Sequence, residues 1–376
     1  MVAKCFQKSA VLSPLSSFKL SSTHGFINPN PPPSIPKYPE LFPHYELAKS
    51  LASETSTIPS RIKNLPQIEA SILFDDPEQL ELTALIYGML VSSYYWASPI
   101  PSVNIPSNIG VPFWKICQYL NRPPILNITS LEFHNFSYKS LAQDFHPDNL
   151  DCLFTFSGTS DEKYFYLIPL YVEYLGAPLL EAAFDLFSSI EQRNKEEIIK
   201  ALKIFKKTIQ KMTGALNLMY EKCDPGIFYF GFRNKLKSYE KGAIFEGISE
   251  DCEIYSGASA AQSPIVRLID IIFNLNQEHK FISKTYQYLK KEHRNFIFFM
   301  NEKRPSFLRE NIEDLGAKNE WNEVIDEICK FRETHLKLAY NYIIAPSQGR
   351  DNKGTGGSSL EQFLNTLITS TRRSAL

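Results

Sequence analysis

Residues 321–344 read WNEVIDEICKFRETHLKLAYNYII, and the spacing of their apolar side chains decides the fold class. Trp321, Val324, Ile325, Ile328, Phe331, Leu338, Ala339 and Tyr342 recur at the three- and four-residue intervals of one helix face. His335 falls on the same stripe, seven residues after Ile328, four after Phe331 and three before Leu338. An imidazole on a buried face must find partners for both ring nitrogens or lose free energy on burial. Two readings meet that demand. One is a core histidine bonded to a backbone carbonyl. The other is a ligand to a metal or to haem iron, a common role for neutral imidazole.

Helical patterning extends outward from this stretch. Residues 165–190, 195–221, 228–237, 262–276, 282–301, 319–344 and 359–371 carry it, and residues 111–120 predict a shorter helix. Asp75-Asp76-Pro77-Glu78-Gln79 is a start signal: Asp76 caps, Pro77 suits the first turn and Gln79 takes the capping-box position. Leu80, Ala84, Tyr87, Val91 and Tyr94 then point inward. Residues 28–39 (NPNPPPSIPKYP) are extended. Residues 121–151, interrupted by Pro123-Pro124 and His146-Pro147, predict a loop, and strand alternation is confined to 153–157. The expectation is a mainly α protein with an extension over 1–17, a small N-terminal domain over 18–151 and a large helical domain over 152–376, because 376 residues exceed one ordinary core.

Composition narrows the function classes. The 40 basic and 41 acidic residues nearly cancel, so neither a nucleic-acid surface nor an acidic tail is expected. Six cysteines without a CxxC pair read as reduced thiols of an intracellular protein and offer no zinc site. The most apolar region, 164–190, is interrupted by Glu173, Glu181 and Asp185, so it reads as a buried helix and no membrane span is expected. The first 39 residues lack Asp and Glu, as a mitochondrial transit peptide does, but they also lack Arg and a clear amphipathic helix. A cytoplasmic location is the expectation.

Two clusters bear on chemistry. The glycines of Lys353-Gly354-Thr355-Gly356-Gly357 lack P-loop spacing and follow no predicted strand, which argues against a nucleotide site. Phe228 and Phe232 share a helix face beside Arg233. That arrangement suits a flat apolar substrate with a carboxylate, or else an ordinary amphipathic helix with Arg233 in water. His24, His44, His134, His146, His279 and His293 sit beside breakers, in polar contexts or at a helix cap, and are poor ligand candidates.

An ordered set of motifs spans nearly the whole chain. It runs from residues 21–26 (SSTHGF) through 111–113 (VPF), 123–126 (PPIL), 151–156 (DCLFTF), Asp224-Pro225, Phe228 and Arg233. It continues through Glu246-Gly247, Glu250-Asp251, Ser259-Ala260, Gln262-Ser263, 293–296 (HRNF), Arg332, His335 and 353–357 (KGTGG). With these intervals the chain resembles the indoleamine 2,3-dioxygenases, haem enzymes that open the pyrrole ring of tryptophan. The resemblance implies that His335 is the proximal haem ligand and that Arg332 lies beside a haem propionate. It places Ser259 and Ala260 against the haem and Asp270 behind it. Phe228 packs on the indole, Arg233 holds the substrate carboxylate, Ala258 borders the substrate, and Thr355 with its glycines closes over the site. Four positions depart from the family pattern. Pro169 stands where many members have a distal serine, so a hydroxyl there cannot be required. Tyr229 replaces a second phenylalanine, Ile128 a tyrosine, and Ala258 the second glycine of a pair, which adds a methyl near the distal pocket.

The implied activity inserts O2 across the indole C2–C3 bond of L-tryptophan to give N-formylkynurenine, feeding tryptophan breakdown or nicotinamide cofactor synthesis. It needs haem b and an electron donor that keeps the iron ferrous. The partners are L-tryptophan or a related indoleamine and O2, and the protein is expected to be a monomer. Two rival readings are peroxidase-like indole oxidation and a non-catalytic signalling protein responsive to haem or tryptophan.

Overall fold

The computed structural model describes residues 14–53, 57–140, 144–275 and 280–376. Most of the expected extension, together with Cys5, Asn276 and His279, lies outside them. The described residues form α1 (Phe42–Lys49), α2 (Ile58–Lys63), α3 (Pro77–Tyr95), α4 (Ser107–Tyr119), α5 (Ser160–Leu175), α6 (Pro178–Glu191) and α7 (Lys195–Lys222). They continue with α8 (Pro264–Ile272), α9 (Lys280–Thr285), α10 (Lys291–Lys303), α11 (Leu308–Asp314), α12 (Lys318–Ala339) and α13 (Leu360–Arg372). The fold is mainly α. The stripe at 321–344 becomes α12 plus a wider π-type turn, Tyr340–Ile344. The 28-residue α7 starts at Asn194, whose side chain accepts from the Glu197 amide, with Glu196 and Glu197 placed favourably in the first turn. It packs against α5, α6 and α12, and α12 packs in turn on α13.

Asp76 caps α3 as expected: its carboxylate accepts from the Gln79 amide at 3.3 Å. Every residue from Gln79 to Tyr95 in that helix is buried. The buried face therefore includes a charge, Glu81, which pairs with Arg122 and lies 3.7 Å from His134. Burial alone would raise the Glu81 carboxyl; the Arg122 and His134 charges hold it down at about 2.

Several elements differ from their sequence-based expectations. Residues 121–151 contain a π-type turn, Thr129–Phe133, and strands β2 (Phe136–Tyr138) and β3 (Leu150–Cys152). They follow the two-residue strand β1 (Asn104–Ile105), and β2 and β3 pair antiparallel with Phe136 opposite Cys152. Residues 153–157 are not a strand because side chains take their backbone groups. Asn135 bonds both ways with Phe154, and the Glu162 carboxylate accepts from the amides of Phe156 and Ser157. The run 165–190 is two helices, broken at Gly176 and Ala177 ahead of Pro178. A Cβ on Gly176 would stand 2.4 Å from Ile265 Cγ1, so α8 approaches the break closer than any side chain permits. By length and composition Ser160–Glu191 could cross a membrane, but most of it packs inside the protein, and its Glu162 and Glu173 are hydrogen-bonded there. The run 282–301 likewise divides into the end of α9, a short 3₁₀ turn and α10. The last strand, β4 (Ile244–Phe245), pairs with β1.

Breaking the buried pair of α3 tests this packing. Arg122→Met leaves Glu81 charged and without its main partner, which costs about 3–5 kcal/mol of unfolding free energy, whereas Arg122→Met with Glu81→Met recovers most of it. Urea denaturation of the two variants is the measurement, and a single-variant loss below about 1 kcal/mol contradicts the account.

Candidate active site

One face of α12 and one face of α5 line a cavity of about 240 Å³. The α12 face presents Phe331, Arg332, His335, Leu338 and Ala339; the α5 face presents Phe165, Pro169, Val172 and Glu173. The turn at Thr129–Phe133 adds Leu131 and Glu132, residues 258–261 add a wall of small side chains, and Gly354, Thr355 and Ser358 close the remaining side. Both helical faces follow from three- and four-residue spacing, so periodicity alone aims these side chains at one space.

His335 lines this cavity, half-buried. Among the described residues nothing hydrogen-bonds either of its ring nitrogens, so the carbonyl-bonded alternative is not what forms. Burial pushes its pKa down to about 4, which leaves the imidazole neutral at pH 7 with a lone pair available. Among the described residues no group of three His, Cys, Asp or Glu converges to build a metal centre from protein alone. The donor set is one imidazole on an apolar wall, which would suit a ligand to a metal already held in an organic frame.

Arg332, one turn before His335, is buried and lines the cavity. It pairs with Asp270 and donates to the Leu367 carbonyl at 2.9 Å and to the Thr371 hydroxyl. Arg267, one turn before Asp270, also reaches that carboxylate at 2.9 Å. Its Nε and Nη1 are buried without partners. Two guanidiniums against one carboxylate leave a net positive charge on this part of the wall, suited to a bound carboxylate. With the orphaned imidazole and the small residues Ser259, Ala260 and Ala261, these side chains fit a flat, carboxylate-bearing haem.

Phe228 also lines the cavity, stacked on Phe165 with centroids 4.4 Å apart and meeting Tyr342 edge-on. The expected helix over 228–237 is a π-type turn, Ile227–Phe232, followed by a 3₁₀ turn, Arg233–Leu236. In that geometry Arg233 is not among the residues lining the cavity, and it is not in solvent either. It is 1 % exposed, pairs with Asp351 at 2.8 Å, donates to the Lys353 carbonyl at 2.6 Å and stacks over Tyr229; its Nε has no partner. Burial would raise the Asp351 carboxyl, but the Arg233 guanidinium and neighbouring donors hold it below the usual range.

Arg233 is thus tied to the glycine-rich loop. The loop is docked besides: the Thr355 carbonyl accepts from the Ser238 amide and hydroxyl, and the Thr355 hydroxyl donates to the Ala258 carbonyl. Glycines make the closeness possible. A Cβ on Gly356 would lie 2.8 Å from Ser259 Cβ, and one on Gly257 would lie 2.2 Å from the Leu236 carbonyl oxygen. Ala258 itself borders the cavity.

Of the sequence-selected residues, His335, Arg332, Phe228, Ala258, Ser259, Ala260 and Thr355 meet at one cavity, and Arg233 lies outside its lining. Sequence reasoning missed Phe165, Arg267, Glu132 and the role of Glu173. A signal existed for Glu132, the one charged residue in the run 125–133 (ILNITSLEF). Glu173 joins α5 to the start of α8, accepting from the Ser263 hydroxyl and from the Ile265 amide at 3.2 Å. Burial pushes its pKa up to about 8 against those hydrogen bonds.

That shift has a sign. The unfolded chain loses the Glu173 proton near 4.5, whereas the fold keeps it to about 8. Its contribution to stability is complete below the lower value and is lost as pH rises through the higher one, at up to about 1.4 kcal/mol per pH unit. Glu173→Gln removes this term, so its stability falls less than wild type between pH 5 and 8. Urea midpoints across that range check it; parallel pH slopes contradict it.

Comparison with known proteins bears on this arrangement. A family model described as indoleamine 2,3-dioxygenase matches residues 14–374. Human indoleamine 2,3-dioxygenase 2 is 26% identical, with 98% of this chain and 97% of that protein aligned. Indoleamine 2,3-dioxygenase of Saccharomyces cerevisiae is 25% identical over 98% of this chain and 87% of its own length. A Fusarium equiseti protein named 6-hydroxytryptophan 2,3-dioxygenase is 24% identical over 93% of this chain and 91% of its own.

Proposed function

The chain belongs to the indoleamine 2,3-dioxygenase family, and from that premise we propose that it binds haem through His335 and inserts O2 across the indole C2–C3 bond of L-tryptophan, giving N-formylkynurenine. The observation that carries this reading is the neutral, unpartnered imidazole of His335 on the wall of an apolar cavity. His335 would hold the iron, Arg332 and the small residues Ser259 and Ala260 the edge and face of the ring system. Ferrous haem, when bound, supplies the redox chemistry toward O2.

The chain's own residues position the rest. The Phe165–Phe228 stack gives a flat apolar surface for an indole. Arg233, outside the cavity lining in this structure, would have to shift to bring its unpartnered Nε to the substrate carboxylate, while Asp351 and the Lys353 carbonyl hold its other two nitrogens. The docked loop around Thr355 keeps water out and holds the substrate in register, where a displacement near 1 Å already spoils reactive geometry. Pro169 presents no hydroxyl, so no base at that position takes the indole proton. The same reading keeps a domain division near residue 151, a monomer, a ferrous-haem reductant and a cytoplasmic location.

Purified protein reconstituted with haem, reduced and supplied with L-tryptophan and O2 should form N-formylkynurenine; absence of product with intact ferrous haem overturns the reading. His335→Ala should lose the Soret band or most haem affinity, and a variant with wild-type haem content and an unchanged ferrous–CO spectrum rules out the ligand assignment. Arg233→Leu should keep its haem and lose roughly 10- to 150-fold in kcat/KM, the range expected for a hydrogen bond to a charged group. Full retained activity contradicts the role of Arg233.

A further inference from the structure

Six acidic side chains of the described residues are buried, and five have partners. Glu81 pairs with Arg122, Asp270 with Arg267 and Arg332, and Glu327 with Lys330 and Gln210. Glu162 accepts from Phe156, Ser157 and Tyr166, and Glu173 from Ser263 and Ile265. Glu132 is the exception. It is 7% exposed, lines the cavity and, among the described residues, makes no hydrogen bond and no ion pair. Burial, and after it the nearby carboxyl of Glu173, drives its carboxyl strongly toward the neutral form.

A buried carboxyl without a partner is expensive, and its persistence asks for one supplied from outside the fold. What surrounds it indicates the kind. The turn carrying Glu132 packs on α5, so Glu132 shares its side of the cavity with Leu131, Phe165 and Pro169, and Phe165 stacks on Phe228. These walls are apolar and aromatic and hold no other unsatisfied polar group, Pro169 offering none. A guest with a flat aromatic body therefore meets on this side one carboxyl without a partner in the fold, since Glu173 on the same face of α5 is already engaged by Ser263 and Ile265.

We propose that Glu132 is a specificity residue that hydrogen-bonds a donor carried on the aromatic ring of the substrate, the ring N–H or a ring hydroxyl. This rests on the dioxygenase reading above and deepens it. The carboxyl accepts from either donor, and in its neutral form can also donate to a hydroxyl oxygen.

The test uses the haem-loaded protein with Glu132→Leu, which removes the carboxyl, and Glu132→Gln, which keeps hydrogen bonding. L-tryptophan, N1-methyl-L-tryptophan, 5-hydroxy-L-tryptophan and 6-hydroxy-L-tryptophan are titrated by their effect on the ferric spectrum, with KM and kcat measured separately. Glu132→Leu should weaken binding of the ligands whose donor it pairs by roughly 3- to 10-fold, in KM rather than kcat, and Glu132→Gln should restore most of it. A loss absent only for the N1-methyl compound assigns the ring N–H. A loss confined to one hydroxytryptophan assigns the hydroxyl. Glu132→Leu should melt no lower than wild type, since it removes an unpaired buried polar group. Unchanged affinity for all four ligands, or an equal loss for all four with a lowered melting temperature, overturns the proposal while an active wild type leaves the dioxygenase reading standing. A wild-type holoprotein that binds none of the four overturns both.

Discussion

The Asp270 carboxylate, shared between Arg267 and Arg332, is the interaction on which the cavity's geometry depends. It joins α8 to α12, and Arg332 continues the link to α13 through the Leu367 carbonyl and the Thr371 hydroxyl. His335 stands one turn further along α12, so this cluster sets where the imidazole points. Buried charges earn their place only when geometry and hydrogen bonds offset desolvation, and one partner removed is worse than none present. The cluster thus trades stability for position: three helices are held at fixed separation around a space they do not fill.

The opposite side is held mainly by backbone closeness, with one buried ion pair beside it. Gly257 and Gly356 allow the small-residue wall and the loop to approach where a methyl group would collide with backbone or with Ser259. Ser238 and Ala258 then fasten Thr355. Arg233 belongs to this fastening, since two of its nitrogens hold Asp351 and the Lys353 carbonyl. One cation therefore serves both the loop and, in the function proposed, the carboxylate. In that function, loop position and carboxylate binding would be linked through a single guanidinium, and a shift of one would alter the donors open to the other.

Sequence legibility follows the range of the interaction concerned. The stripe on α12 is local periodicity, and with it came His335 and the cavity-facing turn that includes Phe331 and Leu338. The Asp76 cap is equally local and forms as read. Arg233 illustrates the limit: its position beside Phe228 was legible, but its partner Asp351 is 118 residues away and no spacing announces it. The break at Gly176 was hidden for the same reason, because it answers to Ile265 on α8. Residues 153–157 alternate like a strand, yet Asn135 and Glu162 claim their backbone groups. Local pattern gives propensity, and the long-range hydrogen bond decides where it is realised.

The cavity's charge balance joins these threads. Glu132 and Glu173 are both driven toward the neutral form by burial, so neither cancels the surplus on Arg267 and Arg332 over Asp270. Had both carboxyls ionised, the wall would carry a net negative charge and repel an anionic guest. With both pushed toward the neutral form, the cavity tends to a cationic arginine edge, an imidazole lowered in pKa, and walls whose polarity is more hydrogen-bonding than charged. Coulombic attraction in such a poorly screened space is stronger than at the surface. In the function proposed, a flat group carrying carboxylates would be drawn to the arginine edge, leaving the aromatic and carboxyl-bearing side for a second, uncharged ring.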